Sequence, residues 1–411
     1  MSFTVLVAPS GFKESLSAEQ AADCIEAGIL RADPEACVIK APMADGGEGF
    51  TKALVRLTGG TLRRVRVTGP LGDHVPSFFG FMGGQTKQTA VIEMAAAAGL
   101  SLVPRSRRNP CLTSSYGVGE LIKAALDAGA ERILLGCGDS GINDGGAGMA
   151  EALGIRFLDA QGSRLAPGGA ALAELARIDL SGRDPRLSDI RIDAAVNWHN
   201  LLLGERGVAR VFGPQKGASP EQVELLSAAM ERYAAAILAA TGIDVGQAPG
   251  AGASGGLGAA VMGLLSGHLH PRYDVIMQYL DLDGFIGQAD LVITAEGSLD
   301  GQTPFGKVPA EVAHRAKSAG VPVIVLAGTI GKGVRLNFDH GIDAFASILK
   351  KPCTLDEAIL AAPKLLERAA EDCVRMVRVG MKLAPPAPTR RGRSAAYLRR
   401  LPASAKSGLR P

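Results

Sequence analysis

The sequence predicts an α/β protein in which a parallel-sheet domain is interrupted by a second, inserted α/β domain with a mixed sheet. Three observations predict it. The first sixty residues alternate strand and helix. From Thr61 to about Met94 strands follow one another without helices, and near Asp290 the alternation returns. Strand, helix, strand in succession builds a parallel sheet, because each crossover returns the chain to run in the same direction. The expected boundaries are 1–60 plus 285–380 for the first domain, 61–284 for the insert and 381–411 for a basic tail.

The elements follow in order. "FTVLVAP" is a short β-branched run ending at a turn, the signature of a buried strand. In the next segment Ser17 and Gln20 have capping-box spacing, and Ala21, Cys24, Ile25, Gly28 and Ile29 form one helical face. "ACVIKAP" is the second strand, and "EGFTKALVRLTGG" is a helix closed by glycine. "RRVRVTGP", "PSFFGFMG" and "TAVIEMA" are successive strands of a mixed or antiparallel sheet. Helices are expected at 117–129, 219–241 and 256–266, with strands near 132–137 and 190–196. The returning pattern is "ADLVITA", a helix at 307–319, "VPVIVLAG", "DAFASIL" and a last helix at 355–380.

The whole-chain charge of +3 hides an asymmetry. Eight basic residues and no acidic ones follow Met381, which leaves the body at −5. A mildly acidic body argues against nucleic-acid binding, and the Pro-, Ala- and Arg-rich tail is expected to be disordered. Six scattered cysteines without a CxxC pair read as buried free thiols of a reducing compartment. With no signal-like N-terminus and no bilayer-spanning apolar run, a soluble, cytoplasmic protein without membrane partners is expected.

In open parallel sheets ligands bind beyond the carboxyl ends of the strands, so the residues after each strand are where chemistry is sought. Lys13 follows the first strand, and Asp45 and Glu48 follow the second around two glycines. Glu296, Asp300 and Lys307 follow "ADLVIT". Carboxylates that hold a hard cation, with glycine amides and lysines that hold phosphate oxygens, suit a Mg²⁺–phosphate ligand. "GCGDSGINDGGAGM" (136–149) holds six glycines, more than a turn needs, and suggests a backbone that something approaches closely. "PGAGASGGLGAA" (249–260) is a second glycine-rich entry to a helix. "GQTPFGKV" (301–308) nearly spells a phosphate-binding loop, but Val308 stands where a hydroxyl would meet magnesium. "VNWHNLLLG" carries Asn197, the single tryptophan, His199 and Asn200; "GPQKGAS" carries Lys216 ahead of a Ser219–Pro220 helix start.

Six of these stretches, in this order, resemble the bacterial glycerate kinase family: "APSGFKESLSAEQAA", "PMADGGEGF", "NDGGAGM", "VFGPQKGAS", "PGAGASGGLGAA" and "TAEGSLDGQT" with its following "GK". The resemblance runs to about residue 380. It implies ATP-dependent phosphorylation of D-glycerate, usually at the 2-hydroxyl, with Mg²⁺, and a flavodoxin-like α/β domain carrying an inserted second one. The chain departs from the family at Ser10 and Gly11, at Asp139, Gly141 and Ile142, at Asn197 to His199 and Leu201, and at Ala295 and Ser298. These departures redistribute negative charge and point to a variant subgroup with an altered acceptor preference or metal arrangement.

On this reading Asp45, Asp300, Glu296, Lys13 and His199 are the candidate catalytic residues, with Asp45, Glu48 and Asp300 for the metal. Asn143, Asp144, Asn197, Asn200 and Lys216 are the candidates for the acceptor. Gly138, Ser140, Gly252, Gly255, Gly256 and Lys307 are the candidates for the nucleotide. ATP and Mg²⁺ are the expected cofactors, and a homodimer is left open. Two other classes compete. One is a kinase-like sensor that binds a sugar acid without turnover; the other is a nicotinamide-dependent oxidoreductase, against which the missing GxGxxG unit speaks.

Overall fold

The computed structural model describes residues 3–12, 15–43, 46–277 and 279–383. The basic tail from residue 384, Lys13 and Asp45 lie outside the described residues. Its strands are, in chain order, β1 (Thr4–Val7), β2 (Cys37–Lys40), β3 (Thr61–Thr68), β4 (His74–Phe81), β5 (Thr89–Glu93), β6 (Arg132–Gly136), β7 (Arg156–Leu158), β8 (Arg177–Asp179), β9 (Arg191–Val196), β10 (His268–Pro271), β11 (Leu291–Leu299), β12 (Val323–Ile330) and β13 (Ala344–Ser347). Five form a sheet of order β13-β12-β11-β1-β2, parallel throughout. Six form a second sheet of order β10-β9-β6-β5-β4-β3, in which β4 alone runs antiparallel to its neighbours β3 and β5 and the pairings among β5, β6, β9 and β10 are parallel.

The first sheet is drawn from both ends of the described chain and the second from the stretch between. β1 lies between β2 and β11, so the strand order reverses there and the loops after β1 and β11 diverge around a crevice. The capping box read from Ser17 and Gln20 is formed: the Gln20 amide donates to Ser17 Oγ at 3.2 Å and the Ser17 amide to Gln20 Oε1 at 2.9 Å. Ser219 caps Pro220–Thr241 in the same way through Gln222.

The helix placed at 256–266 is Ala253–Gly263, and Ser254, Gly255 and Gly256 at its start have positive φ. The short β7–β8 hairpin and β10 carried too few alternating residues to be read as strands. Cys111, Cys137 and Cys373 are buried free thiols as expected, but Cys37 and Cys353 are exposed. Cys37 opens β2, the edge strand of its sheet among the described residues.

Three large apolar clusters hold the molecule. One surrounds the six-stranded sheet, and one packs the first sheet against the helices Ala18–Ala32 and Leu355–Leu383. The third joins the lobes: Met43, Phe50 and Leu54 pack with Val91, Leu134 and Ala195 of the second sheet and Val292 and Val325 of the first. An apolar junction of this kind ties the lobes far more firmly than a polar linker does. Glu93 reinforces it. Its buried carboxylate, at the end of β5, accepts from the Thr51 amide at 2.8 Å and the Gly49 amide at 3.3 Å, at the start of the helix Phe50–Leu57. Burial lifts its pKa to about 7, against the pull of those two amides.

Candidate active site

Ser10, after β1, donates through its amide and its hydroxyl to the Ala295 carbonyl at 2.8 and 3.0 Å. That ties the loop after β1 to the middle of β11. The end of β11 and the loop after it build a compact charged knot. Lys307 Nζ donates to the Ser298 carbonyl at 2.7 Å and to Asp300 Oδ1 at 3.2 Å, and lies 3.7 Å from Glu296 Oε2. Thr303 Oγ1 donates to Glu296 Oε1 at 2.9 Å. Asp300 Oδ1 also accepts from the Gln302 amide at 2.8 Å, and Asn337 Nδ2 donates to the Asp300 carbonyl at 2.9 Å. Glu296 is buried, and that burial lifts its pKa to about 7 although Lys307 and Thr303 oppose it. Lys307 occupies the N-cap position of the helix Val308–Ala319, with its ammonium turned into the knot and no side-chain bond to the helix start.

The second sheet supplies the facing wall. The six glycines of 136–149 are accounted for by neighbouring protein. A Cβ at Gly138 would lie 2.6 Å from the Gly47 amide nitrogen, at Gly145 2.4 Å from the Tyr233 ring, and at Gly148 2.3 Å from Ser114 Oγ. The same holds for the second glycine loop. Cβ atoms at Gly252, Gly255 and Gly256 would meet Leu201 O at 2.0 Å, Ile142 O at 2.1 Å and Gly145 Cα at 2.8 Å. What approaches these backbones closely is the rest of the fold, and glycine here lets four loops interlock.

That interlocking sets the candidate side chains. Lys216 is only 3% exposed, and its ammonium donates to Ser140 Oγ at 2.9 Å and the Ile142 carbonyl at 2.6 Å. Ser140 is thereby a partner of Lys216. Asn143 is fully buried, and neither atom of its amide has a hydrogen-bond partner; the Ser254 hydroxyl, on the loop packed against it, has none either. Buried polar groups are almost always paired, so two orphans on touching loops mark a place prepared for something polar. Asp144 is turned inward. Its carboxylate accepts from the Ser115 amide and hydroxyl at 2.7 and 2.8 Å and from the Gly146 and Gly148 amides at 3.1 and 3.2 Å, which fixes the loop. Burial pushes its pKa up against those four bonds.

Glu151, near the end of the short helix Ala147–Ala152 that follows, is part-buried, and burial and then Asp144 lift its pKa to about 7 from 4.5, with Arg164 opposing. Between those pH values the folded chain holds a proton that the unfolded chain has released. Its contribution to stability is therefore full below pH 4.5 and lost as pH rises through about 7. Glu151→Gln is expected to be more stable than the parent at pH 8, by roughly 1–3 kcal/mol after allowing for partial exposure, and no more stable at pH 4.5. Urea unfolding at the two pH values checks this.

The two walls meet in two places. Besides Gly138 on Gly47, the Glu48 amide donates to Asp139 Oδ2 at 3.2 Å, and Ser101 donates to the Glu48 carboxylate. At the other end of the crevice a Cβ at Gly306 would lie 3.6 Å from His199 Cδ2 and 3.9 Å from Asn197 Oδ1. Asn197 Oδ1 accepts the His199 amide at 3.1 Å, and the Asn200 amide bonds the Asn197 carbonyl at 3.1 Å, so 197–200 is a tight turn with His199 exposed. Sequence reasoning missed Glu93, Ser101 and Ser254. Only Ser254, inside a glycine-rich stretch, carried a signal that could have found it.

Among the described residues no three His, Cys, Asp or Glu side chains gather closely enough to cage a metal. Glu48 and Asp300 belong to separate bonding networks. Magnesium in phosphoryl-transfer sites asks for less: one or two carboxylates, with phosphate oxygens and waters completing the shell. Asp300, half-buried beside Glu296 and next to a lysine, fits that demand.

Two α/β lobes meet beyond the ends of their parallel strands, the first carrying the Glu296–Asp300–Lys307 knot and the second the buried Lys216 and Asn143, and this mixture of carboxylates and lysines suits a small-molecule phosphotransferase. The model of the glycerate kinase family matches residues 5–378. A glycerate kinase of Bacillus subtilis (strain 168) is 46% identical over 91% of this chain and 98% of its own. A glycerate 2-kinase of Escherichia coli (strain K12) is 44% identical over 92% and 99%. The crystal structure of a protein assigned as glycerate kinase 2 from Salmonella typhimurium LT2 superposes with a TM-score of 0.71 at 44% identity, covering 93% of this chain and all of that one. The chain belongs to the glycerate kinase family.

Proposed function

We propose that the chain transfers the γ-phosphoryl group of ATP to a hydroxyl of D-glycerate, giving 2-phosphoglycerate. The observation that carries the reading is the Glu296–Asp300–Lys307 knot at the start of a helix, on a loop whose Gly306 abuts the 197–199 turn of the other lobe. Phosphoryl transfer demands positioning and charge stabilisation more than covalent help, and this knot offers both signs of charge on a rigid frame. Lys307 and the amides of the helix start suit phosphate oxygens. Asp300 would hold Mg²⁺, with Glu48 and Asp45 as the further candidate ligands, and the bound ion would neutralise charge on the phosphates. Glu296, with a pKa lifted to about 7, is suited to receive the acceptor's hydroxyl proton near neutral pH.

The acceptor is assigned to the second-sheet wall. Asn143 offers one donor and one acceptor to a molecule carrying hydroxyls and a carboxylate, with Ser254 beside it. Lys216 would supply positive charge for the carboxylate, with Lys13 as a further candidate. The lobes would then be the two domains 1–60 plus 285–380 and 61–284, working in the cytoplasm.

Incubation with Mg²⁺-ATP and D-glycerate, followed by NMR of the product, is expected to show 2-phosphoglycerate; no ADP formation would overturn the reading. Asn143→Ala is expected to raise the KM for glycerate about 10–100-fold, the value of hydrogen bonds to a charged or hydroxylated ligand. Its stability should stay within about 1 kcal/mol of the parent, because no protein hydrogen bond is lost.

A further inference from the structure

We propose that Trp198 and Phe305 form a stacking clamp for the purine base of the nucleotide. The inference rests on the phosphoryl-transfer reading and adds to it where the base lies. The two aromatics stand on opposite lobes, Trp198 in the turn after β9 and Phe305 in the loop after β11. Each is one residue away from the contact at which the lobes meet, where Gly306 faces His199 at 3.6 Å from its would-be Cβ.

Both loops are held. The Asn197 side chain bonds the His199 amide and sets Trp198 at the tip of its turn. The Gly306 carbonyl accepts from Tyr273 Oη at 3.0 Å and from the Arg272 guanidinium, which fixes the loop beside Phe305. Trp198 is nonetheless 39% exposed and Phe305 65% exposed. Large flat rings held exposed on two loops that touch at Gly306 and His199 offer π-faces to a flat ligand at low entropic cost. The rim is polar, with Asn197, His199 and Lys307, which suits a base that continues into a charged phosphate chain better than an apolar peptide or a second copy of the chain. Lys307 is two residues from Phe305, so a nucleotide whose base lies in the clamp directs its phosphates into the carboxylate–lysine knot.

Trp198 is the only tryptophan, so the intrinsic fluorescence of the unmodified chain reports on it alone. ATP is expected to quench it, and inorganic tripolyphosphate, which lacks the base, is expected to leave it unchanged. Phe305→Ala should raise the KM for ATP about tenfold or more with the KM for D-glycerate unchanged, and Phe305→Tyr should restore it. Trp198→Phe should keep, and Trp198→Ala lose, the same affinity. Equal quenching by ATP and tripolyphosphate, or an unchanged KM for ATP in Phe305→Ala, overturns the clamp. Turnover of glycerate with those negative results leaves phosphoryl transfer standing. Base-specific quenching without any turnover sustains the clamp and refutes the transfer.

Discussion

Asp300→Asn is expected to lower kcat about a thousandfold while leaving the fold intact. The two statements come from different sides of the residue. On the structural side the Asp300 loop is fixed largely by groups that asparagine keeps: the carbonyl bonded by Asn337, the amide that donates to Thr303 Oγ1 at 3.2 Å, and an Oδ1 that still accepts from the Gln302 amide. The thermal midpoint should therefore move by only a few degrees, which corresponds to about 1 kcal/mol. On the chemical side the substitution removes the half-buried negative charge beside Lys307 and Glu296. Loss of a single charged partner of the transferred group costs about 10²–10⁴ in rate where the surroundings cannot reorganise to replace it. Steady-state ADP release at saturating ATP and glycerate measures the effect, with the Mg²⁺ dependence read in the same assay. If turnover stays within threefold of the parent, Asp300 has no part in the reaction.

The parts of this molecule that were legible in the sequence are those set by local rules. The Ser17 and Ser219 caps, the strand–helix alternation at both ends and the run of strands after Thr61 all depend on a few neighbouring residues, and all appear as read. So does the clustering of Glu296, Asp300 and Lys307, because one strand end and its loop carry all three. Residues whose meaning depends on a distant partner were opaque. Asp144 reads as a ligand from its glycine-rich setting, yet its carboxylate is spent on Ser115, 29 positions away, and on two amides of its own turn. Glu93 stands in an apolar strand with nothing to mark it, and becomes visible only when the helix Phe50–Leu57 is seen to begin at its carboxylate.

The glycine count shows most clearly how a correct observation can carry the wrong cause. Six glycines in 136–149 do mean close approach of backbone to something. Sequence alone cannot distinguish a phosphate from another loop, because both need the same missing Cβ. The structure assigns the near neighbours of Gly138, Gly145 and Gly148 to the chain itself. The signal that survives is different in kind: an asparagine and a serine, on touching loops, that fold into the interior without partners. Such a pair is costly unless something answers it, and the sequence marks its two members only by their glycine-rich settings, not by their want of partners.

Gly138 turns this into a test of how tightly the lobes must be joined. Its φ lies outside the left-handed region, so alanine meets no backbone strain there. The only penalty is contact: its Cβ would fall 2.6 and 2.7 Å from the Gly47 nitrogen and Cα, and backbone cannot rotate away as a flexible side chain does. Gly138→Ala must therefore push the loop carrying Glu48 off the second-sheet wall by a substantial fraction of an ångström. Overpacking of this size costs about 1–3 kcal/mol, a loss a chain of this size tolerates, whereas a misplacement near 1 Å at reacting groups costs about a hundredfold in rate. Gly255→Ala is the contrasting substitution. Its φ of +72° and the Ile142 carbonyl 2.1 Å from its would-be Cβ add strain to collision, deep in the second lobe. It should lose more than about 3 kcal/mol and fold poorly. The expected pattern is a Gly138→Ala enzyme that is folded but about a hundredfold slower, beside a Gly255→Ala chain that is unstable. Unfolding curves and kcat measured on both decide it, and a Gly138→Ala enzyme of normal rate would mean that the loop carrying Glu48 does not need its place against the second sheet.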